Sequence, residues 1–149
     1  MPFGEDATAF RTLNEEWITH FFTIEAGDHK TLDDPENAIL RKEGSLFFVH
    51  ANGVVVGCVA LIPMGDGVYE LSKMAVSPTM RGYGIRRRLL EYTVGEARRQ
   101  CIRKLFLGSS TKLANAAHLS ESIGFTHIAE ERRPPSAYSR ADVFMEMTF

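Results

Sequence analysis

Glu70-Leu71-Ser72-Lys73-Met74-Ala75-Val76-Ser77-Pro78-Thr79-Met80-Arg81-Gly82-Tyr83-Gly84-Ile85 is the stretch on which the reading of this chain turns. Its first half completes a strand-like run from Val68 to Val76, which Ser77-Pro78 ends. A loop with two glycines then opens directly into a helix-like segment, Gly84 to Gln100, with Ile85, Leu89, Thr93 and Ala97 on one face. Backbone N–H groups at a helix N-terminus are unpaired, and the helix dipole adds partial positive charge there. Glycines let the backbone approach a bulky anion, so the loop has the makings of a phosphate cradle. Arg81 and the Arg86-Arg87-Arg88 run add charge for phosphate oxygens. The plainer reading is a strand–turn–helix whose arginines form a solvated face. Two other phosphate motifs fail: the Gly-x-x-x-x-Gly-Lys-Ser/Thr spacing is absent, and Gly82-x-Gly84 lacks a third glycine.

Upstream, Phe10, Leu13, Trp17, Phe21 and Ile24 recur at helical spacing, and Trp17, Phe21 and Phe22 read as closing the core. The stretch Glu25 to Glu36 is acidic, with Lys30 alone against it, and a short helix around Pro35 to Lys42 follows. Leu46 to His50 and Val54 to Leu61 flank Ala51-Asn52-Gly53, a hairpin signal. Pro63 to Gly67 reads as a turn into Val68 to Val76, which makes the three runs an antiparallel meander. Downstream come a strand at Lys104 to Leu107 and a helix from Leu113 to Ile123, stopped by Gly124 at C′. Strands at Phe125 to Ala129 and Ala141 to Phe149 complete the chain, the last with Val143, Met145, Met147 and Phe149 on one face. This order predicts an α/β fold with a mixed, largely antiparallel central sheet flanked by helices.

The 149 residues, 44% hydrophobic and 24% charged, fit one globular domain spanning 1–149. No apolar run approaches the ~18–20 residues of a membrane span, and the N-terminus lacks a signal-peptide layout. The expectation is a soluble, cytoplasmic protein with no membrane partner. A formal charge of −2 removes the electrostatic case for nucleic acid. The five histidines form no HExxH pair or Cys/His cluster, so no metal is expected. Cys58 and Cys101 both read as small buried hydrophobes. His118, beside a helix stripe, reads as exposed or satisfied rather than as a base.

Arg81-Gly82-Tyr83-Gly84-Ile85, after a strand ending Met74-Ala75-Val76, resembles the acyl-coenzyme A pyrophosphate loop of the GNAT superfamily of N-acyltransferases. Leu119-Ser120-Glu121-Ser122-Ile123-Gly124-Phe125 is similar to that superfamily's Leu-Tyr-x-x-x-Gly-Phe, and Tyr138 to Glu146 to the closing strand of a bacterial branch. The resemblance implies acetyl-coenzyme A as acyl donor and an amine, small molecule or peptide, as acceptor. It places the pyrophosphate on the N–H groups of Met80, Arg81, Gly82, Tyr83, Gly84 and Ile85. The pantetheine arm would lie along the Met74-Ala75-Val76 strand, bonded through the Met74 and Val76 backbones where two strands splay apart. The Met74 N–H would face the thioester oxygen, and neither metal nor covalent enzyme intermediate is needed. Ser110 and Asn115 are further cofactor-contact candidates, and a homodimer is common among relatives.

Glu70 matches the strand position where some members carry a general base. A carboxylate among Val68, Leu71 and Met74 would have its pKa raised by desolvation, which suits it to take an ammonium proton. The alternative is that Glu70 is a structural salt-bridge partner, for instance of an arginine. Ser120 stands where tyrosine usually protonates the leaving thiolate; it either holds a water there or bonds back to the Ala116 carbonyl. Tyr83 and Tyr138 are alternative phenols, and Thr79 and Arg86 depart from the usual loop. The acceptor region would lie between the first helices and the 132–140 loop, where Glu25 to Glu36 is either amine recognition or a solvated face. The predicted function is acetyl transfer to a primary amine by direct attack in a ternary complex, with Glu70 as base. A rival from another class is an acyl-coenzyme A sensor without turnover.

Overall fold

The computed structural model describes residues 3–21, 25–40, 43–80, 83–109, 114–129 and 143–149, with the backbone alone at 3–7, 20–21, 26–27, 30 and 114–115. Helices α1 (Phe3–Phe21), α2 (Ala26–Leu32) and α3 (Pro35–Ala38) precede strands β1 (Ser45–Ala51), β2 (Val54–Gly65) and β3 (Val68–Val76). After a 3-10 turn at Pro78–Met80 come α4 (Ile85–Arg99), β4 (Lys104–Ser109), α5 (Ala114–Ile123), β5 (Thr126–His127) and β6 (Val143–Thr148). The sheet order is β1-β2-β3-β4-β6-β5. Only β3–β4 is parallel; every other neighbouring pair is antiparallel. The expected mixed sheet with flanking helices is the observed one.

Turn chemistry sets the meander. Asn52 and Gly53 sit at φ 53° and 79°, Asp66 and Gly67 at 53° and 75°. Two left-handed residues in a two-residue loop match the right-handed twist of the strands they join. The turn expected at Pro63 to Gly67 is therefore only Asp66-Gly67, and β2 runs on to Gly65. Pro63 is tolerated because β1 pairing stops at Ser45–Leu61, before any bond is asked of its missing N–H.

Helix α4 buries Leu89, Leu90, Thr93, Val94 and Ala97 against one face of the sheet, where Leu71, Leu105 and Met145 meet it. Helix α1 covers the other face with Phe10 and Ile18 against Cys58, Ala60 and Ala75. A smaller cluster of Phe106, Ile128 and Phe144 continues that second face. At the C-terminus of α5 the Phe125 N–H donates to Ser120 O (3.1 Å) and the Gly124 N–H to Glu121 O (3.1 Å). Gly124, at φ 126°, provides the left-handed C′ residue that the sequence predicted.

Four expectations are corrected. The acidic stretch contains α2, not foreseen because its seven residues carry no apolar period. The strand expected at Phe125 to Ala129 is only Thr126–His127, an exposed edge piece. Cys101 is exposed, since the chain turns at φ 59° just after α4 and aims it outward, whereas Cys58 is buried. The α1 stripe is rotated: Asn14 and Ile18 are fully buried while Leu13 and Trp17 are half-buried, and Phe22, Ile24 and the Phe21 side chain lie outside the described residues. Among the described residues no strand precedes α1, and no helix is long and apolar enough to cross a membrane.

Candidate acyl-transfer site

The site begins where two strands part. Parallel pairing of β3 with β4 covers only Val68–Lys104, Tyr69–Leu105 and Glu70–Phe106. Beyond it β3 continues to Val76 and β4 to Ser109, the latter paired on its other edge with β6. A wedge therefore opens between them with Glu70 at its apex. The Ser77 N–H donates to Val56 O at 2.8 Å, which fixes the alternation of this part of β3. Ala75 then turns its backbone groups to β2, and Met74 and Val76 turn theirs into the wedge. Met74 and Val76 thus present backbone groups that the β2 ladder does not use, whereas those of Ala75, grouped with them in the sequence reading, serve that ladder.

Glu70 is half-buried between its register neighbours Ile62 on β2 and Phe106 on β4. Burial pushes its carboxyl above the ordinary glutamate value, and the Lys73 charge pulls it partly back. The direction was expected, but two of the named neighbours are not the cause. Leu71 and Met74 pack on the α4 face, because side chains alternate along a strand. Among the described residues no arginine pairs with Glu70, and the charge that acts on its carboxyl is that of Lys73.

Sequence reasoning missed Lys73 and Asp28. Among the described residues five non-glycine residues have positive φ, and Lys73, at 56°, is the one inside a strand. It is the extra residue of a bulge, where β2–β3 register jumps between Cys58–Ala75 and Ala60–Ser72. Its ammonium lies 2.6 Å from Asp28 Oδ1, with side-chain exposures of 2% and 0%. Asp28 Oδ2 also accepts the Glu25 N–H (2.9 Å), closing the first turn of α2. The Cys58 thiol donates to the Lys73 carbonyl at 3.8 Å, and Asn14 Nδ2 reaches Cys58 Sγ at 3.5 Å. Burial pushes that thiol up to about 12, so it stays protonated. The one available signal was a lysine amid the apolar run Leu71 to Val76; nothing local pairs it with a residue 45 positions away.

Neither earlier reading of the acidic stretch describes Asp28, which is buried and ion-paired. Asp33 lies 3.4 Å from Arg11 and 3.5 Å from His29, and Asp34 accepts the Asn37 N–H to cap α3.

Helix α4 starts at Gly84, φ 73°, where a Cβ would meet nothing within 4 Å. The first four N–H groups of a helix lack internal acceptors; here they belong to Gly84, Ile85, Arg86 and Arg87. The first turn carries three arginines and no acid. Cations at the positive end of a helix dipole are unfavourable unless an anion joins them. Two parts of the predicted cradle are corrected. The Met80 N–H donates to Ser77 O (3.0 Å), so the loop's own turn consumes it. Arg87 is held by Glu91 (3.2 Å) and Ser122 Oγ (3.0 Å), tying α4 to α5. Tyr83 is exposed and Ile85 half-buried. Arg81, Gly82, Ser110 and Tyr138 lie outside the described residues, as does the Asn115 side chain.

Ser120 is buried on α5, whose Leu119 and Ile123 pack on the α4 face. Glu70 and α5 therefore approach the wedge from opposite faces of the sheet. Among the described residues the Ser120 hydroxyl makes no hydrogen bond, so the back-bond to Ala116 is absent. His118 is exposed, 3.9 Å from Glu121, as expected.

A mixed sheet whose only parallel pair splays beside a basic helix N-terminus defines an acyltransferase-type fold. The profile of the Acetyltransferase (GNAT) family matches residues 10–125, and the chain belongs to that family. It is 32% identical over 107 residues to the N-acetylaspartate synthetase of Xenopus tropicalis, covering 70% of this chain and 40% of that protein. The chain spans between 23% and 60% of the length of the curated relatives it matches. An acetyltransferase of Streptococcus agalactiae superposes with a TM-score of 0.83 at 21% identity, covering 96% of this chain and 91% of that one. A GNAT family acetyltransferase of Elizabethkingia anophelis, solved with acetyl-CoA bound, gives 0.62 at 20%, covering 85% and 92%.

Proposed function

We propose that this chain, as one N-acetyltransferase domain, moves an acetyl group from acetyl-coenzyme A to a primary amine by direct attack. The observation that carries the proposal is the freed edge of β3, with Glu70 at the apex of the wedge. Met74 and Val76 would bond the pantetheine amides like an added strand. The N–H groups at the start of α4, with Arg88 exposed beside them, would receive the pyrophosphate. That a family member from Elizabethkingia anophelis holds acetyl-CoA supports the same donor here.

An amine acceptor is mostly ammonium near neutral pH and must lose a proton before it attacks. Glu70 takes that proton, directly or through water; its raised pKa makes it a stronger base than an ordinary carboxylate. Nitrogen then bonds to the carbonyl carbon, the carbon–sulfur bond breaks, and the proton that the attacking nitrogen sheds passes through water to the leaving thiolate. A Met74 N–H aimed at the carbonyl oxygen would stabilise its developing charge. Cys58 does not compete as a nucleophile, because it remains a buried thiol.

Glu70→Gln should lower kcat at neutral pH by about 100-fold, the lower range for a general base, and leave the Kd for acetyl-coenzyme A unchanged. Equal turnover across the pH profile would remove Glu70 from the mechanism. Ser120 in the tyrosine position favours a second reading, a sensor that binds acyl-coenzyme A without turnover. Acetyl-coenzyme A at ~100 times its Kd should stabilise either protein by about 2.7 kcal/mol. Thiol release with a panel of amines then separates enzyme from sensor.

A further inference from the structure

Residues 70 and 73 of a regular strand point to opposite faces, since side chains alternate with period two. Lys73 nevertheless buries its side chain on the Glu70 side of the sheet, against Asp28 of α2. The bulge makes this possible. One extra residue between the Ala60–Ser72 and Cys58–Ala75 pairs shifts the alternation, and Lys73 takes a left-handed φ of 56° to do it. An L-residue other than glycine holds that conformation at a steric cost, so something must fix it. Two contacts do: the ammonium on Asp28 Oδ1 at 2.6 Å, and the Cys58 thiol on the Lys73 carbonyl. Asp28 is itself immobilised by the Glu25 N–H. A buried cation is thus built into the acceptor-facing side of β3, three residues from the proposed base.

We propose that Lys73 and Asp28 are positioning residues for acyl transfer, the bulge carrying a fixed ammonium to the Glu70 face and Asp28 locking it there. The inference rests on Glu70 acting as the base. In the apolar cleft between Ile62 and Phe106 burial favours the protonated form of the carboxyl. The ammonium counters this by favouring the ionised form that can accept a proton. Among the described residues, further charged groups on this side of the sheet come from β4, β6 and α1. Lys104 on β4 and Glu146 on β6 lie 3.2 Å apart beside Phe106, and α1 brings the half-buried Glu16.

The decisive measurement is the titration of the Glu70 carboxyl by 13C NMR, its resonance assigned by loss in Glu70→Gln. In Asp28→Asn/Lys73→Met, which removes both charges and keeps the volumes, the midpoint should rise by about one pH unit. The acid limb of kcat/KM for the amine should rise with it, about tenfold below wild type on that limb, while Lys73→Arg should keep the wild-type midpoint. A merely structural pair would lower the rate equally at all pH and leave the midpoint in place. An unmoved midpoint in the folded double variant overturns the proposal. Glu70→Gln activity decides separately whether that carboxyl is the base, so the two failures are distinguishable.

Discussion

Under α4, the fully buried polar side chain Thr93 satisfies itself inside its own helix, its hydroxyl donating to Leu89 O at 2.7 Å. Around it Leu89, Leu105 and Met145 make an apolar layer. Under α1 and α2 the buried polar groups instead tie distant elements together. Asn14 donates to Phe10 O, reaches Cys58 Sγ, and accepts the Trp17 indole N–H, while Asp28 holds Lys73 across 45 residues of sequence. The first face is sealed by packing alone, which tolerates any apolar side chain of suitable volume. The second works only if each polar member finds its partner. The wedge lies between them. Its α5 side rests on the generic layer, and its Glu70 side on the specific network.

Breaking the network at one point should give the largest effect on stability. Asp28→Ala leaves the Lys73 ammonium buried without its carboxylate and should cost about 3–5 kcal/mol in urea unfolding. The double variant Asp28→Asn/Lys73→Met should recover most of that loss, as neutral replacements of a buried pair often do. Equal losses in single and double variants would mean that the two side chains are not energetically coupled. On the apolar face, Leu105→Ala should cost about 2–5 kcal/mol through the cavity it leaves, with no recovery from any polar substitution.

The smallest effect sits on the wedge itself. The folded carboxyl of Glu70 titrates above its unfolded value, so the native state binds the proton more tightly. Its stabilising contribution is present below the unfolded glutamate value of about 4.3 and is lost as pH rises through the folded one. Glu70→Gln, permanently neutral, should therefore gain Tm relative to wild type as pH increases over that window. A Tm difference independent of pH would refute the direction of the shift. The variant would then be slightly more stable and nearly inactive at the same pH, as expected where a buried carboxylate is kept for chemistry.

What could be read from the linear chain follows the same division. Asn52-Gly53, the Gly84 helix start, Gly124 at C′ and the α4 stripe are local signals, each confined to a few residues, and all stand where they were expected. The α1 stripe departs from the expected one because Asn14, polar and central, is buried where Phe10, Trp17 and the distant Cys58 all partner it. Helix α2 was missed because Asp28, its most buried acid, has its partner on β3. Glu70 was found as a candidate through its place in a strand, yet its real neighbours, Ile62 and Phe106, are set by sheet register.

The sequence by itself determined the order of the strands, the glycine-bearing helix start and the family, because turns, caps and apolar periods act over a few residues. Tertiary structure decided which Met74 to Val76 backbone groups enter the wedge, which face Glu70 occupies, and that Lys73 joins it there. One extra residue in one strand reverses every later alternation, and only the pairing of β2 with β3 shows where that residue is.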